Sequence, residues 1–316
     1  MTSFIVKQLK VTLLLVSLVS CAQLKNQTSV APNLLTMSDD QFWVNLVNQS
    51  IDKKESILTV LSLQTPILFH QIMVDSEDQN LLNFWGQSLN FDSGAKKQIL
   101  GDQIISNLFI PFHLKTNGQI VHAGVTHTYG YLLSTLVTPY GYKRKRWIDH
   151  SLNEAFSLTD LSLSPEATEG SLLSNTSFFA GHIAFENQKN LDKLNTLKNV
   201  SNEIRHFNYS KLEIDTLKED IIEHNILAAT LKTSLVKFPF KKLKEENDYL
   251  LVYSILLPKN HQEILITAFP IKLDAYNKIT NPELLGDGQS ISIRYNAYLE
   301  DFMDKKLTGK RVLKHM

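Results

Sequence analysis

The chain has 316 residues, 32 basic and 32 acidic side chains, 43% hydrophobic residues and a single cysteine. Balanced charge argues against a general polyanion or nucleic-acid binder, whose Lys and Arg outnumber its acids. One cysteine excludes an internal disulfide, so stability must come from a hydrophobic core, which a chain of this length can build.

Taken in chain order, Lys7 and Lys10 precede the apolar run from Val11 to Val19, and small Ser20 abuts Cys21. A basic start, a short apolar stretch and a small residue form an export signal. The run is about half of the roughly 20 residues that span a bilayer, so a membrane helix is not expected. Leu18-Val19-Ser20-Cys21 resembles the lipobox of bacterial lipoproteins. The resemblance implies that the Cys21 thiol receives diacylglycerol, that residues 1–20 are removed and that the new amino terminus is acylated. At about 0.8 kcal/mol per buried methylene, two or three acyl chains form a lasting anchor. Ala22, not aspartate, follows the cysteine. The resemblance therefore implies the outer membrane, facing the periplasm, in a Gram-negative envelope, and the outer face of the single membrane in a Gram-positive one.

Residues 21–36 are small and polar around Pro32 and read as a lipidated tether, with a single body over 37–316 that divides, if at all, into two subdomains near 200. Ser38-Asp39-Asp40-Gln41 has capping-box spacing, and Phe42, Trp43, Leu46 and Val47 follow on one helical face. Ile57, Leu58 and Leu61 continue the pattern before Pro66. Ser76-x-x-Gln79 repeats the box ahead of Leu81, Leu82, Phe84 and Trp85, and Ser93 precedes Leu100, Ile104 and Leu108. The N-terminal third is expected to be mainly helical.

Asn117-Gly118 is a strong turn signal, followed by a β-compatible run from Gln119 to Thr128 with which Tyr131 to Thr138 can pair. Pro139-Tyr140-Gly141 interrupts, then Lys143-Arg144-Lys145-Arg146-Trp147 makes a basic loop. Residues 150–177 are rich in Ser, Thr, Asn and acids and read as turns and short helices on a surface, whereas Phe178 to Phe185 reads as buried. Leu191, Leu194 and Leu197 form a short helical stripe.

Thr216-x-x-Glu219, with Leu217, Ile221 and Ile222, predicts a helix over Thr216 to Asn225. Tyr249 to Leu257 and Ile264 to Ile271 are rich in β-formers and separated by the turn Pro258 to Gln262, which makes the clearest hairpin. Ile226 to Phe238 and Gln289 to Leu299 are placed to complete an antiparallel sheet. Segregated helices and strands predict an α+β fold, a helical N-terminal part packed with a mainly antiparallel C-terminal sheet.

Candidate chemistry is sparse. His122 and His127, near His113, have the right side chains for metal ligation or acid-base work, though no His-Glu-x-x-His motif supports a metal. Five residues apart on a regular strand they face opposite ways, and converge only if Gly124 introduces a bulge. Tyr140, Arg144, Arg146 and Trp147 combine stackable rings with guanidinium groups that grip phosphate or carboxylate in two places. The plain alternative for that loop is a solvated charge run with Trp147 tucked into the core. Three Ser-x-x-Lys matches, at Ser50, Ser93 and Ser234, lack the companion motifs of penicillin-binding enzymes. Gly286-Asp287-Gly288 lacks the acidic repeat of a calcium loop, and Asp149-His150 needs a third group. No phosphate loop, dinucleotide fingerprint or Gly-x-Ser-x-Gly elbow occurs, so neither cofactor nor metal is expected. The sequence thus reads as a membrane-tethered extracytoplasmic lipoprotein that binds an anionic envelope ligand or a protein partner, with an exported hydrolase using His122, His127 and the basic loop as the alternative.

Overall fold

The computed structural model describes residues 57–78, 80–86, 88–89, 113–116, 119–122, 128–129, 132, 137–138, 141–142, 170–223, 225–237, 248–281, 283, 290–298 and 306–314. The chain divides into two units, residues 1–45 and 46–316, and every described residue belongs to the second. That unit is α+β: helices at 57–77 and 172–194 accompany a four-stranded antiparallel sheet over 214–272.

The sheet is a meander of β6 (Ile214–Glu223), β7 (Ile226–Lys237), β8 (Asp248–Leu257) and β9 (Gln262–Lys272), with strands in sequence order. The strands β7 to β9 are buried on both faces, as strands covered on both sides are. On one face Leu231, Leu235, Leu251, Tyr253, Ile255 and Ile266 form a core cluster with Ile279 of a C-terminal helix (Leu273–Thr280). On the same side, Tyr276 of that helix stacks on Tyr249 at 4.0 Å. The other face meets the helix Leu172–Ala184.

In chain order the first helices are α1 (Ile57–Gln64) and α2 (Pro66–Glu77). Pro66 opens α2 at a first-turn position, where its missing N–H costs nothing. The helix α3 (Leu172–Ala184) is buried along its length except at His182, which is part-buried. It is therefore a middle layer, with the sheet against it and α2 and a 3-10 turn (Leu81–Phe84) also in contact. Short helices α4 (Gln188–Leu194) and α5 (Asn202–Arg205) follow, and Gly181 lets α3 and α4 approach so closely that a Cβ there would stand 2.7 Å from Leu194 methyls. The C-terminal helix is α6 (Leu273–Thr280).

The short strands β1 (Ser88–Leu89), β2 (His113–Thr116) and β3 (Gln119–His122) form a second antiparallel sheet in the order β1-β3-β2. Thr116 faces Gln119 where β2 and β3 pair, and Asn117-Gly118, the expected turn, lies outside the described residues. The strands β4 (Val137–Thr138) and β5 (Gly141–Tyr142) pair with each other, and β10 (Ser290–Tyr298) pairs with β11 (Lys306–Lys314).

Five expectations are corrected. Thr216 to Glu223 is strand, where a helix was expected over Thr216 to Asn225: Leu217 and Ile221, four apart, suit a strand face as well as a helix face, and β6 pairs along β7 from Ile214 to Glu223. Ser76 does not cap a new helix; its hydroxyl donates to Met73 O at 2.7 Å inside the last turn of α2, which ends at Asp78 as its C-cap. The β-run after Gln119 stops at His122, since Thr128 and Tyr129 have helical backbone, and Val137-Thr138 pairs with β5. Residues 171–177 are buried, not superficial. The strand near 290 joins β11 in its own sheet and does not extend the meander. The expected helices near 38–47 and 93–108 lie outside the described residues.

Candidate functional site

Among the described residues the densest polar chemistry sits at the two ends of α3. Gly170, at φ 76°, turns the chain into Ser171, and a Cβ on it would stand 2.7 Å from both Asn175 Oδ1 and Ser201 N. Ser171 is the N-cap, its hydroxyl oxygen accepting from Ser174 N at 3.3 Å. Leu172 N donates to Gln71 Oε1 at 3.3 Å, and the Leu173 amide donates to the Tyr129 phenol. Each of the first three amides of the buried helix thus has a side-chain partner, as a helix end cut off from water requires.

Asp75 stands behind these caps. It is fully buried on α2, and its carboxylate accepts from the hydroxyls of Ser171 at 2.5 Å, Ser174 at 2.7 Å and Tyr129 at 2.5 Å. All three donors are neutral. Burial pushes the Asp75 carboxyl up to about 6, Asp78 adding to the rise, while the Ser171, Tyr129 and Ser174 hydroxyls pull the other way. The Tyr129 phenol is raised too, by burial first and by Asp75 second. Trp85 extends the polar seam along α3 by donating Nε1–H to Ser177 Oγ at 2.8 Å.

The other end of α3 is closed by an ion pair. Lys232 Nζ, on β7, donates to Ala184 O at 2.5 Å and lies 3.3 Å from Glu263 Oε1 and 3.0 Å from Glu186 Oε1. Glu263, on β9, accepts from the Glu186 and Asn187 amides at 2.8–2.9 Å. A cation thus meets the last carbonyl of one helix and an anion meets the start of the next, where each complements the helix dipole. The exposed Glu186 carboxyl is held down by Lys218 first and Lys232 second.

These arrangements bind the layers together. Both Asp75 oxygens are occupied, so the chemistry open to it is cohesion and the uptake of one proton near pH 6. On the flank of α3, His182 stacks on Tyr209 at 4.1 Å, and burial pushes its imidazole below the ordinary value. No group of three or more His, Cys, Asp and Glu placed to hold a metal occurs among the described residues.

Of the residues singled out from sequence, His122, His113 and Ser234 have described backbone, and Ser234 is buried on β7. His122 ends β3 directly opposite His113 on β2 and Ser88 on β1, so the row across that sheet is Ser88, His122, His113. The pairing of His122 is therefore with His113. His127, Cys21, Tyr140, Arg144, Arg146 and Trp147 lie outside the described residues. Asp75 escaped the sequence reading, although one signal was present. Leu68, Gln71, Ile72 and Asp75 recur at helical spacing, placing an acid on the buried stripe of α2.

Three comparisons bear on identity. No protein-family model matches the chain, no curated protein matches it, and no solved structure matches its fold.

Proposed function

We propose that this chain is a membrane-tethered extracytoplasmic lipoprotein whose body acts as a binding or envelope-maintenance protein. The observation that carries the reading is the order of Lys7, Lys10, the apolar run to Val19, Ser20 and the lone Cys21. No helix among the described residues is long and apolar enough to cross a membrane, and an acyl anchor requires none. The fastened ends of α3 suit a rigid body held at a surface. Growth with a clickable fatty acid, followed by fractionation, tests the anchor. Cys21→Ser is expected to lose the label and leave the membrane fraction; equal labelling and equal retention would overturn the reading.

A second reading, an exported hydrolase, draws on the row Ser88, His122, His113, which brings a hydroxyl residue and two imidazole residues to one line across a sheet. Its test is turnover of a panel of ester and peptide substrates. His122→Ala is expected to abolish any turnover found, with folding intact by circular dichroism. Turnover unaffected by this change would remove the row as a site.

A further inference from the structure

The hairpin joining β6 and β7 runs past the end of its sheet. Pairing of β7 with β8 stops at Thr230, opposite Leu256, whereas pairing with β6 continues to Glu223 opposite Ile226. Beyond the buried Ala228 and Ala229 the ribbon therefore projects as the pairs Ile222–Leu227 and Glu223–Ile226, bulged between Ile221 and Ile222 and turned by Asn225 at φ 64°. Ribbon tips of this kind are ordinarily polar. This one carries Ile222 at 66%, Ile226 at 70% and Leu227 at 41% exposure, three of the four exposed large hydrophobic residues among those described. Scattered exposed aliphatics need no explanation, but three at one projecting tip do.

We infer that this tip is a second membrane contact that dips into the lipid surface to which Cys21 tethers the protein. The inference rests on the proposed anchor. Two features of the tip favour lipid over a protein groove. Ile222 and Leu227 are register partners and share one face, whereas Ile226, opposite Glu223, belongs to the other. A partner surface covers one face of a ribbon; acyl chains and headgroups surround both. Past the end of the sheet the ribbon carries one acidic residue, Glu223, and no Lys or Arg lies between 219 and 229. It is thus matched to zwitterionic lipid and repelled by an anionic surface.

The test uses the full processed protein in phosphatidylcholine–phosphatidylethanolamine vesicles containing doxyl-labelled lipid. An environment-sensitive fluorophore is placed at Ile226→Cys or, in the turn Tyr209–Lys211 that precedes β6, at Lys211→Cys. Labelled wild-type protein corrects for any thiol reaction at Cys21, and intact mass reports acylation there. The fluorophore at 226 is expected to be blue-shifted and quenched, that at 211 neither, and added phosphatidylglycerol is expected to weaken the quenching. Replacing Ile222 and Leu227 by serine in the labelled Ile226→Cys chain is expected to lower the ratio of docked to undocked protein about tenfold, by the depth cost of apolar side chains in lipid. An acylated protein whose 226 fluorophore stays in water overturns the tip and leaves the anchor. Quenching at 226 without acyl mass overturns the anchor and leaves the tip; neither signal overturns both. A blue shift without vesicles, accompanied by a dimer in sedimentation, would make the tip a contact between copies and also overturn the proposal.

Discussion

The two ends of α3 solve one problem in opposite ways. Each end places a buried carboxylate beside helix termini, Asp75 at the start and Glu263 near the finish. Glu263 is given a cation, Lys232, with both side chains no more than 3% exposed, together with two backbone amides. Asp75 is given hydroxyls alone. A hydroxyl can turn to donate or accept, so the Asp75 end tolerates a neutral acid as well as an anion. An ammonium cannot accept, so the Glu263 end tolerates only the charged form of its partner. The difference separates a junction that responds to pH from one that depends on keeping both charges.

The largest effect is expected at the ion pair. Lys232→Met removes the cation and leaves Glu263 buried, which costs about 3–5 kcal/mol when one partner of a buried pair is lost. Urea denaturation of the purified protein measures it. The double change Lys232→Met with Glu263→Leu is expected to lose less than the sum of the two single changes, because it buries no orphan charge. A Lys232→Met loss below about 1 kcal/mol would mean that the pair is solvated like a surface bridge and that the contrast between the ends is false.

Next in size is the response to pH. The Asp75 carboxyl rises from 3.8 in the unfolded chain to about 6 in the folded one. Between these values the folded state binds the extra proton, so stability falls as pH rises. The contribution is complete below about 3.8 and gone above about 6, amounting to about 3 kcal/mol at most by the linkage of 1.36 kcal/mol per pH unit. His182, held low by burial, acts in the opposite sense, losing stability as pH falls, so the Asp75 share is read as a difference. Wild type minus Asp75→Asn, in urea midpoints from pH 3.5 to 7.5, is expected to decline with pH. A flat difference would show that the hydroxyls, not burial, dominate the site.

What was legible in sequence follows from how each segment satisfies its polar groups. The hairpin of β8 and β9 stands out because its residues are apolar on both faces and a polar turn separates them. The strand β6, at the sheet edge, has only one half-buried face, and the spacing of Leu217 and Ile221 suits helix and strand equally. Ser174, Thr176 and Ser177 read as surface, yet they are buried because their hydroxyls find partners close by: Thr176 Oγ1 donates to Leu172 O and Ser177 Oγ to Leu173 O, both one turn back. The Asp75 junction was out of reach for a different reason. Its parts come from residues 75, 129, 171 and 174, and only tertiary packing brings them together. The acid on the apolar stripe of α2 announces burial but not partners.

The finest test of the comparison asks whether the hydroxyls act as a set. Ser171→Ala removes a donor to Asp75 and the acceptor for Ser174 N, and loss of such a cap costs about 1–2 kcal/mol. Stability alone would not distinguish the two roles. The pH dependence does, because of the three hydroxyls Ser171 exerts the strongest downward pull on the Asp75 carboxyl, followed by Tyr129 and then Ser174. Removing the pull raises the folded-state value above about 6, which carries the pH-linked loss of stability to higher pH. The midpoint of the Asp75-dependent decline is therefore expected to move upward in the order Ser174→Ala, Tyr129→Phe, Ser171→Ala. Carboxyl infrared bands followed through the titration locate that midpoint independently of unfolding. If all three variants lose stability but leave it unmoved, the hydroxyls serve only as caps and packing, and the proton at Asp75 is governed by burial alone.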